Sequence, residues 1–246
     1  MKKILFAVLF IATGSMMFSG CSQKLTVIQA EYLRMLEEPA TEQSIAETGS
    51  FLDKNLGRFD SENADQMVVA FEDYIYSLDG EDMDYGELTD RFGKYISQQL
   101  MEVYEIKAWE QENPVLSGVK LLKSWSSLCE RALFLEIFIK DNKNYQLIKE
   151  EVADIYRRYL KVMLMGAAET PVFNHIDGSF NEWAKSAYTD FISAYPDTTV
   201  SDILIEYLDY LESIDFTLDV GETEAMTAFS DTCMYLVLEA GKRVLQ

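Results

Sequence analysis

Histidine, proline and cysteine are scarce in this 246-residue chain, which has one His, four Pro and three Cys. The lone histidine, His175, excludes multi-histidine zinc sites and the histidine-bearing di-iron helix bundles, both of which need several imidazoles. There is no Cys-X-X-Cys pair, no glycine-rich phosphate cradle behind a strand and no nucleophile elbow. Period-two alternation is nearly absent, which leaves little room for sheet. Positive charge is also in deficit: 21 Lys and Arg face 42 Asp and Glu, for a formal net charge of −21. Nucleic-acid binding depends on basic side chains that neutralise phosphates, so this balance argues against it. Long apolar runs are missing after the N-terminus. The best, Leu133 to Ile139, is interrupted by Glu136 and falls well short of the ~20 residues a membrane-spanning helix needs, which predicts a soluble body.

What is present begins with an address. Lys2 and Lys3 precede an apolar stretch from Ile4 to about Ile11, and small residues then lead to Phe18-Ser19-Gly20-Cys21. These are the three parts of a secretory signal. The closing residues resemble the lipobox of bacterial lipoproteins, an aliphatic residue and two small residues before a cysteine; Ser19, Gly20 and Cys21 match, and Phe18 departs from the pattern. The resemblance implies cleavage between Gly20 and Cys21. It also implies a lipid-modified, palmitate-type anchor on Cys21 and a location on the extracytoplasmic face of a cell membrane. It covers about the first 22 residues and says nothing of the remaining fold. Loss of Lys2 and Lys3 would take the formal charge from −21 to about −23. So acidic a body is repelled by anionic lipid headgroups and is expected to stand off the bilayer that holds its anchor.

Apolar residues downstream recur at spacings of three and four, so the predicted fold class is all-α, a bundle or helical-hairpin stack of about eight or nine helices. A first helix from Leu25 ends before Pro39. Thr41 begins a second, and Asp60-Ser61 caps a third. One stripe, Leu88, Phe92, Tyr95, Ile96, Leu100, Val103 and Ile106, predicts a single helix running to Asn113-Pro114. The next two are the most apolar; one starts at Leu121, the other is centred on Tyr156, and Asp141 to Asn144 turns between them. Gly166 to Ser179 is the longest irregular stretch. It is the expected boundary if residues 21–246 form two lobes, and the expected place for a functional loop. Three further helices close the chain. A 137-residue offset pairs Phe51 with Tyr188, Asp60 with Asp197 and Phe92 with Phe229, a pattern that either duplication or a shared apolar period would produce.

Few residues carry candidate chemistry. His175 lies two positions before Asp177, close enough in sequence for a carboxylate to orient an imidazole, although an Asp-Gly turn also reads as incidental. The cluster Asp79 to Glu87 superficially resembles a calcium loop, but no register supplies oxygen ligands at positions 1, 3, 5 and 12 with Gly at 6; it reads as a turn and an acidic helix cap. Cys129 and Cys233 sit in apolar helical patterns and read as two buried thiols or as one disulfide. Trp109, beside Glu110 and Glu112, is the aromatic least clearly assigned to a core and a candidate contact residue. Together these features predict a non-catalytic binding or scaffold module for a protein, glycan or other envelope component, without cofactor. The alternative is a lipoprotein that captures a small solute for a transporter.

Overall fold

The computed structural model describes residues 21–78 and 83–246. The signal-like segment 1–20, and with it the expected cleavage site, lies outside the described residues, as do Asp79 to Asp82 of the acidic cluster. The chain is all-α: ten α-helices, one short 3-10 turn (Leu56–Arg58) and two very short hairpins make up its regular structure among the described residues. The described residues divide into two compact units, those up to Met83 together with 94–96, and 84–93 with 97–246. The division therefore falls near Met83, and the irregular stretch 166–179 lies inside the second unit.

The first unit is built on α1 (Cys21–Glu37), α2 (Glu42–Asn55) and α3 (Ser61–Tyr76). Thr41 and Ser44 form a reciprocal capping box at the start of α2, each side chain accepting the other's backbone N–H. Asp60 caps α3 by accepting from the Asn63 N–H at 2.9 Å. The buried Tyr32 phenol donates to the Met67 carbonyl at 2.5 Å and its ring stacks on Phe51, which ties α1 to both of its neighbours.

The second unit opens with α4 (Tyr85–Phe92) and α5 (Gln98–Glu112). These are two helices where the apolar stripe predicts one. Two residues explain the break. Gly93 ends α4 in a close approach, since a Cβ there would stand 2.5 Å from the Thr89 carbonyl oxygen. Ser97 then starts afresh as an N-cap, accepting from the Leu100 N–H. Within the acidic cluster, Asp84 caps α4 by accepting from the Glu87 N–H at 2.9 Å.

Hairpin β1 (Leu116–Ser117) and β2 (Lys120–Leu121) occupies the place where the following helix was expected to begin, so α6 (Trp125–Asp141) starts later, capped by Ser124. α7 (Gln146–Met165) runs into a second hairpin, β3 (Gly166–Ala167) with β4 (Thr170–Pro171). The hairpins meet where the Glu169 N–H donates to the Val119 carbonyl. Helices α8 (Glu182–Ala194), α9 (Thr199–Ser213) and α10 (Thr223–Leu245) complete the chain. α7 is central, packed against both α6 and α10. Its end is fixed by two buried phenols, Tyr188 donating to the Met163 carbonyl and Tyr207 to that of Leu164.

The helices related by the 137-residue offset start at 42, 61 and 85 and again at 182, 199 and 223, offsets of 140, 138 and 138. The third pair differs in length, 8 residues in α4 against 23 in α10.

Glu136, the residue that interrupts the apolar run, is buried. Its carboxylate accepts from the backbone N–H of Thr199 at 2.7 Å and of Val200 at 2.9 Å. Thr198 Oγ1 accepts from Ser201 N–H, so the first three donors of α9 are all bonded. Two of them are satisfied by a side chain 63 and 64 residues away.

Candidate functional site

A groove of about 650 Å³ lies in the second unit between α5 and α6, with Tyr159 of α7 also lining it. On α5 the lining residues Glu102, Glu105, Ile106, Trp109 and Glu110 recur at three- and four-residue steps, which puts them on one face. On α6 the same spacing brings Ser127, Glu130, Phe134 and Phe138 to the opposite wall.

α6 carries apolar side chains on more than one face. Leu128, Cys129, Ala132, Leu135 and Ile139 are buried, while Phe134 and Ile137 remain 55% and 51% exposed on the other side. Here one side meets solvent. Trp109, across the groove on α5, is 44% exposed.

Arg131 fixes one part of the groove. It is buried, and its Nη1 donates to the Asn113 carbonyl at 2.9 Å, to Glu110 Oε1 at 3.2 Å and to the Tyr159 hydroxyl at 3.4 Å. Its guanidinium carbon lies 4.0 Å from the centre of the Trp109 ring, a cation–π stack. One side chain therefore binds the end of α5, orients the exposed tryptophan and joins both to α6 and α7. Burial first, and then the hydrogen bond to Glu110, push the Tyr159 phenol well above its ordinary range, which keeps it protonated and neutral.

Arg131 is the only cation among the lining residues, and Glu110 neutralises it. The other three carboxylates are differently placed. Glu102 accepts from Gln98 at 2.8 Å, whereas Glu105 and Glu130 are exposed and have no hydrogen bond or ion pair among the described residues. The groove combines an apolar, aromatic floor with an acidic rim. Its lining residues include no cysteine, histidine or lysine.

The sequence-based candidates do not converge. Trp109 stands in the groove wall, but neither His175 nor Asp177 lines it. His175 is exposed in the turn between Asn174 and Gly178. Asp177 does not orient it: Oδ1 accepts from the Ser179 N–H at 3.0 Å and hydroxyl at 2.7 Å, and the hydroxyl bond, then the backbone bond, lower its pKa. The turn needs glycine at 178, where φ is +67° and a Cβ would stand 2.1 Å from the Leu218 carbonyl oxygen. These residues build a turn.

Arg131 and Phe134 are the residues that sequence reasoning passed over. Phe134 belongs to an apolar run in the sequence, but only the folded arrangement distinguishes an uncovered position from a covered one.

Cys129 and Cys233 are both buried free thiols, so the open alternative resolves against a disulfide. The side chain of Cys21 lies outside the described residues, although the backbone of α1 begins there. Among the described residues no group of three or more His, Cys, Asp or Glu is arranged to hold a metal ion, and no helix is long and apolar enough to cross a membrane. Compared with protein-family models, with curated proteins and with solved structures, the chain matches none.

Proposed function

We propose that this chain is a membrane-anchored extracytoplasmic lipoprotein, held through acylated Cys21, whose second unit is a non-catalytic binding module for a partner protein. The observation that carries the reading is the α5–α6 groove, where Trp109 and Phe134 stand partly exposed over an apolar floor. Large aromatics left partly uncovered on the walls of one groove are the usual anchors of protein recognition. The anchor rests on the lipobox-like Ser19-Gly20-Cys21.

The volume of the groove favours a second reading as well, because small-molecule sites span about 300–1,000 Å³. In that case the chain captures a solute and delivers it to a transporter. Against it, the groove lies along two helix surfaces, and its largest apolar side chains are partly exposed to water.

A photo-crosslinking side chain at position 134 of the full chain, activated in intact cells, separates the two readings. One discrete protein adduct, absent when the probe sits at exposed Thr227 on α10, is the expected result. A co-purifying small molecule with no protein adduct from position 134 would overturn the module reading and leave solute capture.

A further inference from the structure

We infer that the α5–α6 groove receives an amphipathic helix of the partner, with apolar anchors at i, i+3 or i+4, and i+7, and with Lys or Arg on both flanks. The inference rests on the binding-module reading and specifies the occupant.

Shape is the first reason. At ~1.5 Å per residue, the lining from Glu102 to Glu110 runs about 12 Å and that from Ser127 to Phe138 about 16 Å, which corresponds to two or three turns of a docked helix. Of the apolar lining, Ile106 and Leu135 are buried and Phe138 half-buried, while Trp109 on α5 and Phe134 on α6 are the most exposed. A track of that length offers places for two or three anchors one helical turn apart, the arrangement of helix-in-groove recognition.

Backbone chemistry gives the second. Both walls are α-helical, so most of their N–H and C=O groups are bonded within the helix, and at the ends Ser124 Oγ holds the Ser127 N–H and the Asn113 N–H holds the Trp109 carbonyl. An extended peptide would find no strand edge there and would bury its own polar backbone without partners. A helix brings its backbone already satisfied.

Charge supplies the third. Glu102 and Glu105 flank the track on α5, and Glu130 flanks it on α6. The single cation, Arg131, is buried and bound to Glu110, so the groove has no free positive charge for an acidic or phosphorylated ligand. An anionic bilayer is repelled by the same rim. A second copy of this chain is a poor occupant too, since its formal charge is also −21. Lysine or arginine on the flanks of an apolar helix meets the rim on both sides.

The test uses the full chain in nanodiscs of phosphatidylcholine, with empty nanodiscs subtracted. The probe is a fluorescein-labelled peptide of about 14 residues with leucines along one helical face and lysines flanking them, beside a counterpart in which glutamates replace the lysines. Fluorescence anisotropy should show the lysine peptide bound at least about ten-fold more tightly. The pair Glu105→Lys with Glu130→Lys, and separately Phe134→Asp, should each weaken it by about ten-fold, at exposed positions where substitution spares the fold. Charge reversal on α9, Asp209→Lys with Glu212→Lys, should change it by less than about two-fold. Equal weakening by the α9 pair would reduce the binding to diffuse electrostatics and overturn the inference. So would equal affinity for the glutamate peptide, or displacement of the lysine peptide by tetraphenylphosphonium, a small apolar cation, at lower concentration. If the lysine peptide fails while the protein adduct from position 134 persists, the occupant assigned here falls and the module stands. If both fail, both fall.

Discussion

Replacing Glu136 by Gln keeps the side chain's size and removes only its charge and one acceptor. The native carboxylate, 1% exposed, accepts from Thr199 N–H, Val200 N–H and Lys140 Nζ at 2.7, 2.9 and 2.6 Å. The amide introduced by Glu136→Gln can accept from one of the two backbone donors, while its own NH2 confronts the other. An unsatisfied buried N–H costs about 1–3 kcal/mol. Removing a negative charge from a partly buried helix N-terminus costs up to ~2 kcal/mol more. Relief from burying a charge offsets part of this. The expected net loss is therefore about 3 kcal/mol, a fall in Tm of about 6–12 °C for a unit of this size. All three tryptophans, Trp109, Trp125 and Trp183, belong to the second unit, so their fluorescence during urea or thermal unfolding follows that unit alone. Hydrogen exchange at the Thr199 and Val200 amides should accelerate in the variant. Lys140→Gln is the control, because its side chain is 48% exposed and an exposed partner contributes no more than ~1 kcal/mol. A loss below about 1 kcal/mol for Glu136→Gln, or an equal loss for Lys140→Gln, would refute the claim that the carboxylate caps α9.

Arg131→Met should destabilise the second unit by about 2–4 kcal/mol and shift tryptophan emission, because it releases Trp109 and leaves the Asn113 carbonyl and Glu110 without their donor; adding Glu110→Gln should recover part of the loss. Burial pushes the thiols of Cys129 and Cys233 up to about 12 from an ordinary 9.0, so iodoacetamide at mildly alkaline pH should label neither in the native protein and both after denaturation, as mass spectrometry would record. Between the ordinary value and about 12 the folded state retains protons that the unfolded chain releases, so their contribution to stability is complete below the unfolded pKa and is lost as pH rises through that window. Denaturant midpoints measured from pH 8 upward should fall accordingly, and Cys129→Ala with Cys233→Ala should flatten the slope. Cys21→Ser should abolish incorporation of radiolabelled palmitate and release the chain from the membrane fraction; retained label would refute the anchor.

Much of the helix inventory was readable because its signals are local. Thr41 and Asp60 mark helix starts that need no knowledge of the rest of the chain, since a capping side chain serves donors two or three residues ahead. The break between α4 and α5 shows where that reading fails. The stripe from Leu88 to Ile106 keeps its period across the gap, and period alone outvoted Gly93 and Ser97. Leu121 fits a helical pattern equally well but lies in β2, since a two-residue strand is too short to leave a period of its own.

The candidate site was half legible. Trp109 stood out as an aromatic among carboxylates, and it does stand in the groove wall. Glu136 read as a charge interrupting an apolar run, yet it caps a helix more than sixty residues away. Arg131 gave no signal, because an arginine on a helix looks alike in sequence whether it faces water or stacks on a tryptophan beneath a carbonyl.

The sequence by itself determined an all-helical chain, and its charge and composition narrowed the chemistry open to it. Helical period, capping and net charge are properties of neighbours along the chain and of simple sums. Tertiary structure alone decided which apolar face of α6 would stay uncovered and which buried charges would find partners. Those outcomes depend on which helix ends and faces meet in space, across separations of 18 to 64 residues in the contacts of Arg131 and Glu136 with other elements.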